Sequence, residues 1–127
     1  MPERIIKSLE NQRAEFALAS VTAANLNDYR GEYKSYVKNI PVLLKTNGLG
    51  NTLAFMRSKK RAAYDLLYQQ FSEWLKKPEC PCKTLLPGKD LLEFVISQPS
   101  PVYRHVTKEL IALLTWMKRL ADSMIED

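Results

Sequence analysis

Eight cations fall between Arg30 and Arg61 against a single anion, Glu32, and this is the densest chemical signal in the sequence. Arg30, Lys34 and Lys38 stand at i, i+4 and i+8, one stripe of a helix beside Tyr29, Tyr33 and Val37. Lys45 follows beyond Pro41. Arg57, Lys60 and Arg61 stand at i, i+3 and i+4, with Lys59 among them. Like charges at these spacings repel and cost local stability, which a bound polyanion would relieve. A phosphate backbone is the natural candidate, because counterion release gives affinity without base contacts. The same pattern also describes a solvated helix face, and spacing alone does not separate RNA from DNA or from an acidic protein. Tyr36 and Tyr64 lie in the same region and could stack on bases, but their positions on apolar stripes fit core packing better.

Other chemistries find little support. His105, the only histidine, sits beside Arg104 and offers no acid–base pair, so a metal-independent nuclease has nothing to work with. Asn47-Gly-Leu-Gly-Asn51 holds two glycines, yet no Lys-Ser/Thr follows them and no strand precedes them. It reads as an interhelical turn rather than a phosphate loop. Cys80 and Cys82, with Pro81 between, are too close for an unstrained disulfide and too few for a four-coordinate zinc site. They read as an inert loop, with a redox or shared-metal role as the alternative. The expectation is a protein with no catalytic residue, no cofactor and no metal.

The elements that must position the cations are helical. At 127 residues, 46% hydrophobic and 26% charged, the chain suits one globular domain, 1–127. The net charge of +5 is local: residues 30–61 alone carry +7, and the flanking segments are each at −1. Ile5, Ile6, Leu9, Phe16, Ala17 and Val21 mark a first helix ending near Asn25–Asn27, with Asp28 as N-cap of the next. Tyr29, Tyr33, Tyr36, Val37 and Ile40 form the buried stripe of that second helix, which Pro41 breaks or kinks and Asn47-Gly48 ends. Asn51 or Thr52 opens a long third helix with Leu53, Met56, Ala63, Tyr64, Leu67, Phe71, Trp74 and Leu75 inside, stopping before Pro78. Residues 76–89, with three prolines and Gly88, form a variable loop. Asp90 caps a short helix, and Ser100-Pro101 opens a last one running almost to Asp127. The fold class expected is an all-α, compact single-domain bundle of about five to six helices. No apolar run is long enough to span a bilayer and no signal-peptide core is present, so the expected location is cytoplasmic, with no membrane partner.

Two blocks carry a family resemblance. Tyr33-Lys-Ser-Tyr-Val-Lys-Asn-Ile-Pro41 and Thr46-Asn-Gly-Leu-Gly-Asn-Thr-Leu-Ala-Phe55 with Lys59 form the first. Tyr103-Arg104, Thr107-Lys-Glu109 and Trp116-Met-Lys-Arg-Leu-Ala121 form the second. The chain resembles the small helical subunit of the Cmr complex, the type III-B CRISPR effector of antiviral defence. The resemblance implies a subunit without nuclease activity, copies of which stack into a minor filament beside the backbone subunit and line the channel where target RNA pairs with guide RNA. Its partners would be that backbone subunit, the large subunit, further copies of itself and both RNAs. Carried onto this sequence, the phosphate-contacting residues would be Arg30, Lys34, Lys38, Lys45, Arg57, Lys59, Lys60 and Arg61, with Lys118 and Arg119 a second group. Pro41, Asn47, Gly48, Thr52 and Phe55 would set the turn and its packing, and Trp116 would be core. A protein-interaction module using its basic face to scaffold neighbours, without touching RNA, is the alternative reading.

Overall fold

The structure, a computed structural model, describes residues 8–82 and 88–126. Ile5, Ile6, Asp127 and positions 83–87 of the expected loop lie outside the described residues. Within them the chain forms six helices and no strand: α1 (Leu9–Ala24), α2 (Arg30–Asn47), α3 (Leu49–Ser58), α4 (Ala62–Lys76), α5 (Leu91–Ile96) and α6 (Ser100–Met124). The all-α class is as expected. A helix start that the sequence reading did not single out is Ser8, whose hydroxyl accepts the Asn11 N–H at 3.1 Å and caps α1.

α2 runs through Pro41 without a break. A proline inside a helix costs roughly 3 kcal/mol through its missing N–H and its clash with the preceding turn. Against that, α2 buries Tyr33, Val37, Ile40 and Leu44 on one face, and each such side chain contributes about 1.5–3 kcal/mol. Packing outweighs the local cost. The expected Asp28 cap is not used either: the N-cap position falls to Tyr29, with no side-chain cap bond.

The long third helix is in fact two. α3 begins at Leu49 from a Gly48 N-cap, ends at Ser58, and gives way to a turn in which Lys60 adopts φ 55° before α4 starts at Ala62. Ser58 Oγ donates back to the Phe55 carbonyl at 2.8 Å, the kind of side-chain bond that competes with helix propagation. Four cations within Arg57–Arg61 would also repel along a continuous helix. Apolar periodicity on both sides concealed the break. At α6, Pro99 rather than Ser100 is the N-cap, and Pro101 lies within the first turn, where its missing N–H costs nothing. Asp90 caps α5 as expected, accepting the Glu93 N–H at 3.1 Å.

α6 packs chiefly against α1 and α2, and it buries Val106, Glu109, Leu110, Leu113, Leu114, Met117 and Ala121. It runs antiparallel to α2: Lys34 reaches the Ile125 carbonyl beyond one end of α6, while Tyr103 near the other end meets Gly50 just past α2. α4 closes the core from the opposite side. Gln70 bridges two helices, accepting the Tyr33 hydroxyl at 2.7 Å and donating to the Ser20 carbonyl at 3.1 Å.

Inside this apolar pack sits one ion pair. Glu109, 3% exposed, accepts Arg13 Nε at 2.8 Å and Nη2 at 2.7 Å, and also the Trp74 indole N–H at 2.8 Å. Arg13 also meets Glu10 at 2.6 Å, and Glu10 accepts the Trp116 indole at 2.8 Å. The chain Trp74–Glu109–Arg13–Glu10–Trp116 therefore clasps α4, α6 and α1 together. Trp116 is consequently a half-buried residue at the core's margin, not the core residue expected.

Candidate nucleic-acid interface

The cations of residues 30–61 do not form a single helical stripe. Arg30 is exposed at the start of α2 and donates to the Asn27 carbonyl at 3.3 Å. Lys34 turns away from the surface: it is half-buried and its Nζ donates to the Ile125 carbonyl at 3.0 Å, at the C-terminal end of α6 where a cation is favoured. The expected common projection of Arg30, Lys34 and Lys38 fails at Lys34 for that reason. Lys38 and Lys45 are exposed, Lys45 in the last turn of α2.

The second cluster does not have helical order. Arg57 closes α3, Lys59 and Lys60 form the turn, and Arg61 is the N-cap of α4. Arg57 pairs with Asp90 at 3.0 Å and lies over the Tyr68 ring, 5.6 Å from its centre. Asp90 also accepts the Tyr68 hydroxyl at 2.7 Å. Partial burial pushes the Asp90 carboxyl up, but Tyr68, the Glu93 N–H and Arg57 together hold it below its ordinary value. Burial and that same bond to Asp90 push the Tyr68 phenol up to about 12. Lys59 lies over Phe55 at 5.4 Å, and Arg61 reaches Glu32 at 3.5 Å.

The Arg61–Glu32 pair and the Tyr36–Tyr64 stack join α2 to the start of α4. The two tyrosine rings are parallel at 3.7 Å, and Phe55 meets Tyr64 edge-on at 5.7 Å. Tyr64 is 6% exposed, and burial raises its phenol pKa, with Tyr36 adding to the effect. These rings use their faces on each other, so the core reading of Tyr36 and Tyr64 prevails over base stacking. Lys118 and Arg119 are exposed on α6, and no contact among the described residues joins them to the α2–α4 cluster.

Five cations of this segment, Arg30, Lys38, Lys45, Lys59 and Lys60, are exposed and make no ion pair among the described residues; Arg30 is held by the Asn27 carbonyl and Lys59 by the Phe55 ring. Sequence reasoning overlooked Arg104. It is exposed on α6 next in sequence to Tyr103, whose hydroxyl accepts the Gly50 N–H at the α2–α3 turn. Its signal was present in the Tyr103-Arg104 pair, but the meeting of α6 with that turn was not visible in the order of residues. His105 lies exposed on α6, and no group of three or more His, Cys, Asp or Glu among the described residues could hold a metal. No described helix is long and apolar enough to cross a membrane.

Fold and surface together define a small all-helical protein with exposed cations on α2, α3 and the start of α4. Residues 9–124 match the family model described as CRISPR-associated protein (Cas_Cmr5), and the chain belongs to that family. The CRISPR system Cmr subunit Cmr5 of Thermus thermophilus is 28% identical over 114 residues, spanning 90% of this chain and 93% of that protein. The X-ray crystal structure of a CRISPR-associated Cmr5 family protein from Thermus thermophilus is similar with a TM-score of 0.78 and 27% identity. The match covers 95% of this chain and all of that one.

Proposed function

We propose that the chain is a non-catalytic small subunit of an RNA-guided type III-B CRISPR (Cmr) effector complex acting in antiviral defence in the cytoplasm. Copies of it stack into a minor filament, and its basic residues line the channel holding guide and target RNA. Its other partners are the backbone and large subunits of the complex. Family membership supports the assembly. The observation that carries the RNA contact is the trio Lys38, Lys45 and Lys60, exposed without an acidic partner among the described residues, while Glu32, the segment's one anion, is already engaged by Arg61. Leu26, Val42 and Ile96, 84%, 59% and 68% exposed, suit contact with neighbouring protein subunits.

The test reverses Lys38, Lys45 and Lys60 to Glu in the assembled complex and measures target-RNA affinity against salt. Each lost single-strand phosphate contact lowers the slope of log K against log salt by about 0.7, so three contacts remove roughly 2. Unchanged affinity and slope, with crosslinks from these positions to protein alone, would replace this reading with the scaffolding one.

A further inference from the structure

The Cys-Pro-Cys turn after α4 is not a loose loop. Cys80 and Cys82 are 3% and 5% exposed, and their sulfurs lie 3.5 Å apart in hydrogen-bond contact. The Cys80 N–H donates to the Lys77 carbonyl at 3.1 Å, so the turn's own backbone holds the first thiol in place. The one intervening residue is Pro81, whose ring fixes its φ and limits what the unfolded chain can sample. A disulfide needs the sulfurs at about 2.0 Å, an approach of roughly 1.5 Å from where the fold already holds them. The short spacing that argues against an unstrained bridge does not forbid one. Strain raises the reduction potential, which distinguishes labile from structural disulfides.

We propose that Cys80 and Cys82 are a redox modification site, closing to an intrachain disulfide when the folded protein meets a low-molecular-weight disulfide and reopening in excess thiol. Cys80 attacks first. The hydrogen bond it shares with the Cys82 sulfur holds the Cys80 thiol below its usual value, against the opposing effect of burial. Cys82 is pushed up by the same bond and by burial. Cys80 thiolate displaces one half of the reagent as a thiolate and forms a mixed disulfide. With its acceptor gone, Cys82 loses its proton and attacks Cys80 Sγ, expelling the second half. The protein gives up two electrons and two protons, and the reagent becomes two thiols. Glu109 and Arg13 act on Cys80 electrostatically in opposite senses, and Glu109 accepts the Trp74 indole N–H.

The experiment equilibrates the full chain, folded and in urea, with graded ratios of oxidised to reduced glutathione. It then quenches with acid, alkylates, and measures the intact mass alongside tryptophan emission. The expected product is a monomer lighter by two hydrogens that takes up no alkyl group. It should appear at a lower oxidised share in the folded protein than in urea, together with a change in emission. Cys80→Ser and Cys82→Ser should each form only a glutathione adduct. Glutathione adducts or linked dimers in place of the cyclised chain would overturn the proposal. So would two alkyl groups at every ratio, or a half-oxidation point no lower in the folded protein than in urea.

Discussion

Gly50 donates its backbone N–H to the Tyr103 hydroxyl oxygen at 2.7 Å, joining the first turn of α3 to the first turn of α6. A helix start leaves four N–H groups without an internal partner, and here a phenol on another helix accepts one of them. The contact lies between the two sequence blocks that carry the family resemblance.

The two glycines of that turn should respond differently to alanine. Gly48 has φ 85° and ψ 164°, a region essentially confined to glycine, so Gly48→Ala should cost about 1–3 kcal/mol. Gly50 is helical, and a Cβ there meets Tyr103 Oη at 3.4 Å, ordinary contact, so Gly50→Ala should be neutral or gain up to about 1 kcal/mol. Tyr103→Phe leaves the Gly50 N–H unpaired at a part-buried site and should cost about 1–3 kcal/mol. Denaturant midpoints of the three variants measure this ordering, and equal losses at both glycines would contradict it.

Helix existence was readable from apolar spacing, and the buried faces of α2, α4 and α6 follow that spacing closely. Element ends were not. The α3–α4 break arises where Ser58 bonds back to Phe55 and Lys60 turns left-handed, and neither interrupts the apolar rhythm running from Leu53 to Leu75. The cationic segment was legible as composition but not as geometry. Lys34 is drawn to the end of α6 and Arg57 to Asp90, and both partners lie far away in sequence. The Arg13–Glu109 clasp was invisible for the same reason, since 96 positions separate its members.

Removing one member of that clasp leaves the other charged and partly buried. Glu109→Ala should therefore cost about 3–5 kcal/mol, and it also strands the Trp74 indole N–H. Replacing both partners, Arg13→Met with Glu109→Leu, should recover part of the loss, because an apolar pair does not carry the desolvation penalty, while the Trp74 indole N–H stays without its acceptor. Urea denaturation of Arg13→Met, Glu109→Leu and the double gives the coupling directly. Additive losses would show that the pair is not coupled.

Asp90 gives the acid limb of stability a definite sign. Its folded carboxyl lies below the ordinary value, so its contribution is fully present above an unfolded pKa of about 3.9 and disappears as pH falls through the lower folded value. Asp90→Asn should flatten the stability profile below about pH 4 while keeping the α5 cap, because an Asn side-chain oxygen accepts the same N–H as well as Asp does. Tyr68 has the opposite sign. With its phenol raised to about 12, its contribution is present below an unfolded pKa of about 10 and is lost as pH climbs between the two. Melting temperatures across pH for wild type, Asp90→Asn and Tyr68→Phe measure both limbs.

Lys60 sets fold against function at a single residue. At φ 55° it occupies a conformation that costs a side-chain-bearing residue on the order of 1 kcal/mol, and glycine adopts it without that penalty. Lys60→Gly should therefore stabilise the chain by up to about 1 kcal/mol. Under the proposed function the same change removes an exposed, unpaired cation and should weaken RNA binding in the complex, lowering its salt slope by about 0.7. Lys60→Asn tolerates the left-handed turn but carries no charge, and should follow the glycine variant in affinity. Opposite movement of stability and affinity would mean that the turn holds a lysine for its charge at the fold's expense. Stability rising while affinity and slope stay fixed would remove Lys60 from the interface and leave its conformation without a functional reason.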